Sequence, residues 1–446
     1  MFIHRNRGFM ATCVILAAGK GTRMKSPLPK VLHELGGLSL VGHVVQAAAS
    51  IDRSPILVVG HQAEDVMGNI DDVRFATQSP QLGTGHAVMM AMPQIPNNAE
   101  PVLVLFGDTP LITPETLQNL VAQISMAQPL AILAFETGQP GRYGRVVVEN
   151  GNVQGIVEAK DATEEQLAIR LCNAGVMAGT GEIFHRLLPK LSQQNAAGEY
   201  YLTDLVAMVR AEGLQVAYSL AHEEEVAGVN SQHELSLREA TFQKRRRGEL
   251  MDRGVQMPHP ETVFLSHDTD LPAGSLVEAH CVFAPGVRAH GAVTIRAFSH
   301  LEGAELSEGC VVGPYARLRP GTVLGPKVRI GNFVETKKAV VGQGSKINHL
   351  SYVGDASVGQ HVNIGAGTIT CNYDGYNKHQ TIIGDGVFIG SDTLLVAPIH
   401  VGQGSYTGSG SVLSDDVPAD SLALTRPARQ IFEGWADRFR SKQAKE

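Results

Sequence analysis

The feature that most constrains this chain is an aliphatic residue that recurs every six positions in its second half. The longest run in one register consists of Val312, Leu318, Leu324 and Ile330. A six-residue period fits neither a 3.6-residue helix nor a hairpin. It fits a short strand followed by a tight turn, and three such units close one triangular coil. The sequence therefore predicts a parallel β-helix whose aliphatic residues fill a central column.

The same spacing continues in further registers towards the C-terminus. Their members are Val341, Ile347 and Val353, then Val358 and Ile364, then Ile383, Ile389, Leu395 and Val401, with Leu413 two hexads later. Accidental spacing in an ordinary glycine-rich β domain would not keep so many hexads in register. One segment, residues 371–380, leaves the register, and we expect it to project from the coils.

Bulk properties exclude several classes of protein. The 446 residues exceed one ordinary domain, so two or three are expected. With 37 Lys and Arg against 44 Asp and Glu, the net charge of −7 argues against nucleic-acid binding. The five scattered cysteines form no C-x-x-C pair, which favours a reducing cytoplasm over a disulfide or zinc scaffold. No apolar run approaches the ~20 residues of a membrane span.

The first half alternates short apolar runs with helix-like stretches. The apolar runs are residues 12–16, 55–60, 101–108 and 129–135, and the helix-like stretches include 40–49 and 114–127. This alternation predicts a Rossmann-like α/β domain with a mostly parallel sheet. Ligands of such sheets bind beyond the carboxyl ends of the strands, where the segments AAGKGTRM and GDTP stand.

These patterns predict four parts in the chain. They are a flexible extension (1–11), the α/β domain (12–230), a charged linker helix (231–253) and a β-helix domain with a C-terminal tail (254–446). A short helix, Gln430–Arg440, is expected in the tail.

The loop AAGKGTRM is a candidate phosphate-binding loop. Its small residues would let backbone N–H groups approach a phosphate, with Lys20 and Arg23 supplying charge. Its spacing matches neither G-x-G-x-x-G nor the Walker motif, so neither a dinucleotide nor a kinase site is favoured. Taken alone, the loop is as well explained by a plain turn.

Further motifs follow this loop in a recognisable order. They are G-T-R-M (21–24), P-K (29–30), Q-L-G-T-G (81–85), G-D-T-P (107–110), Y-G-R (143–145), I-V-E (156–158), C-N-A-G-V (172–176), E-Y-Y-L-T-D (199–204) and G-V-N (228–230). Together they resemble the sugar-1-phosphate nucleotidyltransferases, and especially the uridylyltransferase half of the bifunctional bacterial enzymes that make UDP-N-acetylglucosamine. Singly, each residue is better explained as a turn former, a helix cap or a surface carboxylate.

The resemblance implies a site for UTP, a sugar phosphate and Mg²⁺. Asp108 and Asn230 would hold the metal, while Arg23 and Lys30 would stabilise the α-phosphate and the departing pyrophosphate. The residues implied to bind UTP or UDP-N-acetylglucosamine are Leu16, Ala17, Ala18, Gly19, Lys30, Gln78, Gly83, Thr84, Phe106, Gly107, Asp108, Gly144, Glu158, Asn173 and Asn230.

Within that set, the resemblance separates uracil contacts from sugar contacts. The implied uracil contacts are Gln78, Gly83 and Thr84. The implied contacts to the sugar and its acetamide are Gly144, Glu158 and Asn173. Phe106 stands where the family often has Tyr, so one hydroxyl contact is absent while the ring packing is kept.

Polar insertions interrupt the hexad repeat. They are R-L-R-P (317–320), E-T-K-K (335–338), N-H-L-S-Y (348–352), Asn363 and N-Y-D-G-Y-N-K (372–378). The repeat resembles the hexapeptide-repeat acyltransferases, and its insertions resemble the acetyltransferase half of the same bifunctional enzymes. The resemblance covers residues 12–426 and implies a left-handed coil, which the usual right-handed crossover rule would not predict. It also implies a homotrimer.

The second implied reaction transfers acetyl from acetyl-CoA to glucosamine 1-phosphate. The ammonium group must lose a proton before its nitrogen attacks, and His349 is the candidate base. Asn372 would orient the amine and Ser391 would assist the thiolate, without a cysteine nucleophile. The implied contacts to the sugar phosphate are Arg319, Lys337, Tyr352, Asn363 and Lys378. The implied contacts to acetyl-CoA are Ala366, Asn372, Tyr373, Ser391, Ser409 (often Ala in the family) and Arg426.

The predicted function is therefore a cytoplasmic enzyme with two transferase sites, whose product feeds peptidoglycan and, in Gram-negative cells, lipid A. Two alternatives stay open at this point. One is a monofunctional sugar-1-phosphate nucleotidyltransferase with a purely structural β-helix. The other is a nucleotide-sensing or scaffold protein built from the same folds.

Overall fold

The computed structural model describes residues 11–195, 198–425 and 428–443. The chain divides into two compact units that meet between Arg245 and Arg246. Residues 1–10 of the predicted extension lie outside the described residues, as does Arg426.

The first unit is built on a mixed sheet with a parallel centre. Its strands are β1 (Thr12–Leu16), β2 (Glu34–Leu35), β3 (Leu38–Ser39), β4 (Ile56–Val59), β5 (Arg74–Thr77), β6 (Pro101–Phe106), β7 (Leu130–Glu136), β8 (Arg145–Glu149), β9 (Asn152–Val157), β10 (Leu171–Thr180) and β11 (Val216–Leu220). The main sheet has the order β11-β7-β10-β6-β1-β4-β5. Strand β10 runs antiparallel to both of its neighbours, and the other pairs on this path are parallel. The α/β prediction is confirmed.

Helices cover both faces of this sheet. They are α1 (Leu40–Ala48), α2 (Ala63–Met67), α3 (Thr84–Ala91), α4 (Pro114–Val121), α5 (Glu164–Leu167), α6 (Gly181–Leu187), α7 (Asp204–Ala211) and α8 (Glu223–Val226). Alternate residues of the central strands enter two separate hydrophobic cores, as Ile15 and Val14 do. Because both faces are buried, the central strands read as continuous apolar runs rather than alternating ones.

Helix α9 (Gln232–Asp252) crosses the boundary between the units. It is polar overall, as the charged composition of this segment indicated. Within the first unit, its Phe242 packs into a small core with Met24 and Val229.

The second unit is a stack of short parallel strands. They are β12 (Leu276–Val277), β13 (Val282–Phe283), β14 (Arg288–Ala289), β15 (Thr294–Ile295), β16 (His300–Leu301), β17 (Ala304–Leu306), β18 (Val311–Val312), β19 (Arg317–Leu318), β20 (Thr322–Leu324), β21 (Arg329–Asn332), β22 (Glu335–Val341), β23 (Lys346–His349), β24 (Tyr352–Val358), β25 (Asn363–Ile364), β26 (Ile369–Cys371), β27 (Thr381–Ile383), β28 (Phe388–Ile389), β29 (Leu394–Val396), β30 (Ile399–Val401), β31 (Tyr406–Thr407), β32 (Val412–Leu413) and β33 (Leu422–Ala423).

These strands form the three faces of a left-handed parallel β-helix. One face has the order β12-β15-β18-β21-β23-β25-β28-β31-β33, a second begins β13-β16-β19, and a third begins β14-β17-β20. Val312 pairs with Ile330 one coil later, so three hexads make one coil. The hexad aliphatics from Val312 to Leu413 are all buried in one core. The predicted β-helix is confirmed.

Close stacking of the coils explains the glycines. A Cβ added at Gly331 would lie 1.9 Å from the carbonyl oxygen of Asn348, so no larger residue fits there without a shift. The predicted excursion is also observed, because β26 ends at Cys371 and β27 begins at Thr381.

The tail carries one more helix, α10 (Trp435–Gln443). The helix predicted at Gln430–Arg440 begins later than expected, since Gly434 has a left-handed φ of 67° just before it. Within the described ranges, no helix combines the length and the apolar character that crossing a bilayer requires.

Candidate active sites

A cavity of 510 Å³ lies beside the carboxyl ends of β1 and β6. Residues predicted to bind the nucleotide supply most of its lining: Leu16, Ala17, Ala18, Gly19, Lys30, Gln78, Gly83, Thr84, Phe106 and Asp108. Gly21 has a left-handed backbone and packs tightly against Lys30. A Cβ added at Gly21 would lie 2.5 Å from Lys30 Cβ, so a glycine at this position leaves room for Lys30 beside the cavity. Backbone contacts also join the two strand ends, since Gly107 N donates to Leu16 O at 2.9 Å.

A second cavity, of 310 Å³, adjoins the first. Both are lined by Thr84, Phe106 and Glu199, so one ligand can extend through both. Glu158 and Asn173 line the second cavity. Gly144 lies beside them, since its carbonyl oxygen accepts from Asn173 N at 2.8 Å.

Burial changes the electrostatics of the second cavity. Desolvation raises the pKa of Glu158, while the nearby Lys160 acts in the opposite direction. Desolvation also raises the pKa of Asp204, which lies at the start of α7 close enough to raise the pKa of Glu158 further. Both carboxylates therefore ionise less readily than free ones.

Lys30, Asp108 and Asn230 meet at the edge of the first cavity. The Lys30 ammonium forms a salt bridge with Asp108 and donates to Asn230 Oδ1 at 3.3 Å. Val229 N donates to Asp108 O at 2.9 Å, which holds the Asn230 segment in place. Two side-chain oxygens thus converge on one cation.

Arg23 is placed differently from the other predicted residues. It lies on the short 3-10 turn Thr22–Met24, whose Met24 is buried while Arg23 is exposed. Among the described residues that line the two cavities, Arg23 is absent. Its role in phosphate binding stays a prediction.

In the β-helix, His349 is exposed and oriented by a neighbour. Its Nδ1 lies 3.0 Å from Asn332 Oδ1, one coil earlier in the same register. A carboxamide oxygen can only accept, so Nδ1 carries the proton and Nε2 keeps its lone pair. The imidazole is therefore prepared to take a proton at Nε2. Sequence reasoning missed Asn332, although its position one coil before His349 could have indicated it.

Three predicted cations lie close together on the neighbouring face. Lys378 and Arg319 both lower the pKa of Lys337, and Lys378 has the larger effect. Only Arg319 has a carboxylate partner within salt-bridge distance, Glu335 at 2.8 Å, in the described part of the chain. Crowded cations without full neutralisation favour a bound anion.

Asn372 lies beside this cluster and is buried. Its side-chain amide nitrogen donates to Asp355 and lies 3.4 Å from the Tyr352 hydroxyl. Asp355 is a second residue that sequence reasoning missed, and it fixes which way the Asn372 amide points.

The residues predicted to contact acetyl-CoA repeat one coil apart. Asp392 N donates to Ala366 O at 2.7 Å, and Gly410 N donates to Ser391 O at 2.8 Å. These backbone hydrogen bonds place Ala366, Ser391 and Gly410, the residue after Ser409, in one column on successive coils. Tyr373 is exposed next to Asn372, and Arg426 lies outside the described residues.

Asn363 stands apart from the cation cluster. It pairs in register with Lys346 on the first face of the β-helix. No hydrogen bond joins it to the cluster among the residues that the structure describes, so its predicted sugar contact stays a prediction.

Residues 13–200 match the family described as MobA-like NTP transferase domain, so the first unit is a nucleotidyltransferase domain.

Three curated relatives extend the similarity over almost the whole chain. Bifunctional protein GlmU of Azorhizobium caulinodans is 50% identical over 437 residues, which are 97% of this chain and 98% of the relative. Those of Jannaschia sp. and Agrobacterium fabrum are 46% and 48% identical, covering 96% of this chain in each case and 95% and 96% of the relatives. The chain belongs to the bifunctional GlmU family.

Proposed function

We propose that the two units catalyse the two consecutive transfers that make UDP-N-acetylglucosamine. The chain is a bifunctional enzyme that acts on small molecules, with an acetyltransferase site on the β-helix and a uridylyltransferase site in the first unit. The observation that supports this proposal is that several of the predicted residues lie close together at each site. An oriented imidazole lies on the β-helix, and two oxygens converge on a cation beside a two-part cavity.

On the β-helix, His349 removes a proton from the ammonium group of glucosamine 1-phosphate. The freed nitrogen lone pair attacks the thioester carbon of acetyl-CoA, the C–S bond breaks, and the thiolate leaves and takes up a proton. Arg319, Lys337 and Lys378 hold the phosphate as charged donors, supported by their mutual crowding. Tyr352, Asn363 and Asn372 position the sugar. The column of Ala366, Ser391 and Ser409, with Tyr373 and Arg426, binds acetyl-CoA.

In the first unit, a phosphate oxygen of N-acetylglucosamine 1-phosphate attacks the α-phosphorus of UTP. The bond from that phosphorus to the β-phosphate bridging oxygen breaks, and pyrophosphate leaves. Lys30 and Arg23 neutralise the phosphates, so two anions can approach each other. The larger cavity takes the nucleotide, and the adjoining one takes the sugar against Gly144, Glu158 and Asn173.

Asp108 and Asn230 fit a divalent metal, which we assign as Mg²⁺. Their oxygens already converge on the ammonium of Lys30, which marks a position suited to a cation. Oxygen ligands suit Mg²⁺, which completes its shell with water and substrate phosphates. When bound, Mg²⁺ neutralises charge on the phosphate oxygens.

We further propose that the β-helix associates as a homotrimer in the cytoplasm. Val323, Val340 and Ile382 are exposed in one column of the third face, where Ser357 separates Val340 from Ile382. Exposed apolar side chains gathered on one face favour a contact between subunits.

A coupled assay with glucosamine 1-phosphate, acetyl-CoA, UTP and Mg²⁺ tests the proposal by following free thiol and pyrophosphate. Both products should appear, and pyrophosphate should depend on acetyl-CoA unless N-acetylglucosamine 1-phosphate is supplied. Pyrophosphate without thiol would support the monofunctional alternative, and neither product would support a scaffold.

A further inference from the structure

Gln78 is a nearly buried amide in the wall of the nucleotide cavity. It follows β5, where its backbone N–H donates to Val59 O at 2.8 Å. The residue is only 3% exposed, yet it lines the cavity. Both donors and the acceptor of a buried amide side chain need hydrogen-bond partners, because a buried polar group without a partner is energetically costly.

Both donors of the Gln78 amide are already committed. Nε2 donates to Gly83 O at 2.9 Å and lies 3.1 Å from His86 Nδ1. A backbone carbonyl is only an acceptor, so the contact with Gly83 fixes the amide nitrogen on that side. His86 must then accept at Nδ1. Within the described chain, Oε1 of Gln78 has no donor, which leaves one acceptor for a ligand.

The His86 ring is itself held in position. It stacks on Tyr200 with ring centres 6.1 Å apart and an interplanar angle of 25°. Tyr200 is tied to the same loop at both backbone groups, since its N donates to Leu82 O and its O accepts from Gly85 N, each at 2.8 Å. The orientation of the imidazole is therefore set by the fold.

We propose that His86 is a positioning residue that, together with the Gly83 carbonyl, makes Gln78 an acceptor-only contact for the nucleotide base. The site then favours a pyrimidine with a protonated ring nitrogen, as in uridine. It disfavours cytidine, whose N3 carries a lone pair that would face another lone pair. This inference rests on the proposed uridylyl transfer and assigns its base selectivity to a residue outside direct ligand contact.

The test compares kcat/KM for UTP and CTP, with N-acetylglucosamine 1-phosphate, in wild type, His86→Phe and His86→Asn. Phenylalanine keeps a ring against Tyr200 but removes one of the two acceptors, so only Gly83 O still opposes rotation of the Gln78 amide. The preference for UTP over CTP should fall about tenfold in His86→Phe. Asparagine offers Oδ1 in place of Nδ1 and should restore most of the preference. Urea unfolding of the same preparations reports whether the first unit, which contains His86, is folded.

Three results would overturn the proposal. They are an unchanged UTP-to-CTP ratio in His86→Phe, an equal loss with both nucleotides, or no recovery of the ratio in His86→Asn. A failure of the proposed function looks different, because wild type itself would then release no pyrophosphate from UTP.

Discussion

The two units differ in how deeply they bury their functional groups. In the first unit, Gln78 and Asp108 stand in or beside cavities at the ends of strands, and Gln78 is almost wholly buried. On the β-helix, His349 is exposed and lines a 300 Å³ cavity on the outside of the coils. The first site depends on a shaped, partly dry interior, and the second depends on a rigid surface.

The two units also differ in how far apart along the chain the interacting residues of each site lie. Asn332 and His349 are 17 residues apart, and Arg319 and Glu335 are 16 apart, so one coil brings each pair together. Lys30 is 78 residues from Asp108 and 200 from Asn230. A repeat fold assembles its site from nearest neighbours, whereas the α/β fold gathers distant loops. Variants of each site should therefore leave the other reaction intact.

Asp108→Asn should give the largest effect. Losing the proposed Mg²⁺ ligand should lower uridylyl transfer about 10³-fold, which is the size of effect that follows removal of one group that stabilises charge in other enzymes. Acetyl transfer should stay at the wild-type rate, with pyrophosphate and thiol followed in parallel. Asp71→Asn, an exposed loop residue, serves as the control. Equal loss of both activities would show that the sites are not separable.

His349→Ala should lower acetyl transfer about 10²- to 10³-fold, because no base remains for the ammonium proton. Uridylyl transfer from supplied N-acetylglucosamine 1-phosphate should be unchanged. Asn332→Ala should cost less, and it should add nothing in the His349→Ala background, since it acts through the imidazole. His361→Ala, another exposed histidine of the β-helix, is the matched control. Additive losses would contradict the role of Asn332.

Gly331→Ala tests the stacking of the coils. The added Cβ would meet the carbonyl oxygen of Asn348, so the second unit should lose about 2–3 kcal/mol of unfolding free energy. Gly248→Ala is the control, because nothing lies within 4 Å of that Cβ and the site is helical. Urea unfolding of both variants measures the difference. Equal stability of the two would mean that the coils relax easily.

His379→Phe should weaken acetyl transfer several-fold, through a higher KM for glucosamine 1-phosphate. His379 Nε2 contacts Asp374 at 2.7 Å inside the loop that carries Asn372 and Lys378. Two backbone N–H groups and this histidine lower the pKa of Asp374, with the N–H of Asn377 the largest cause. Tyr376→Ala changes a side chain that is 91% exposed and should have no effect. An unchanged KM in both variants would show that the loop needs no such contact.

Glu158→Gln should give the smallest effect, on stability. Burial raises the pKa of Glu158 in the folded chain. The folded state therefore binds a proton more tightly than the unfolded state, and its stability falls as pH rises from the ordinary pKa to the raised one. The glutamine variant should be more stable at pH 7 by less than about 1 kcal/mol, and equal to wild type at low pH. Urea unfolding of wild type and Glu158→Gln at both pH values measures the difference. A glutamine variant less stable than wild type at pH 7 would contradict the prediction.

Some local features were readable from sequence, and others were not. The hexads locate the core of the β-helix because each inward position repeats in the same chemical environment. The predicted helices 114–127 and Gln430–Arg440 have wrong bounds, since α4 ends at Val121 and α10 begins at Trp435. The helix propensity of the local sequence does not determine the residue at which a helix begins or ends.

The sequence by itself determined the coil-by-coil stack, the α/β alternation and the family resemblance, because periodicity and motif order are properties of the chain. Only the tertiary structure decided that Asn332 orients His349, that Asp355 orients Asn372 and that His86 holds Gln78. Each of these is a hydrogen bond in which one side chain sets the orientation of another. They depend on which donor and acceptor meet in space, and no spacing along the chain specifies that.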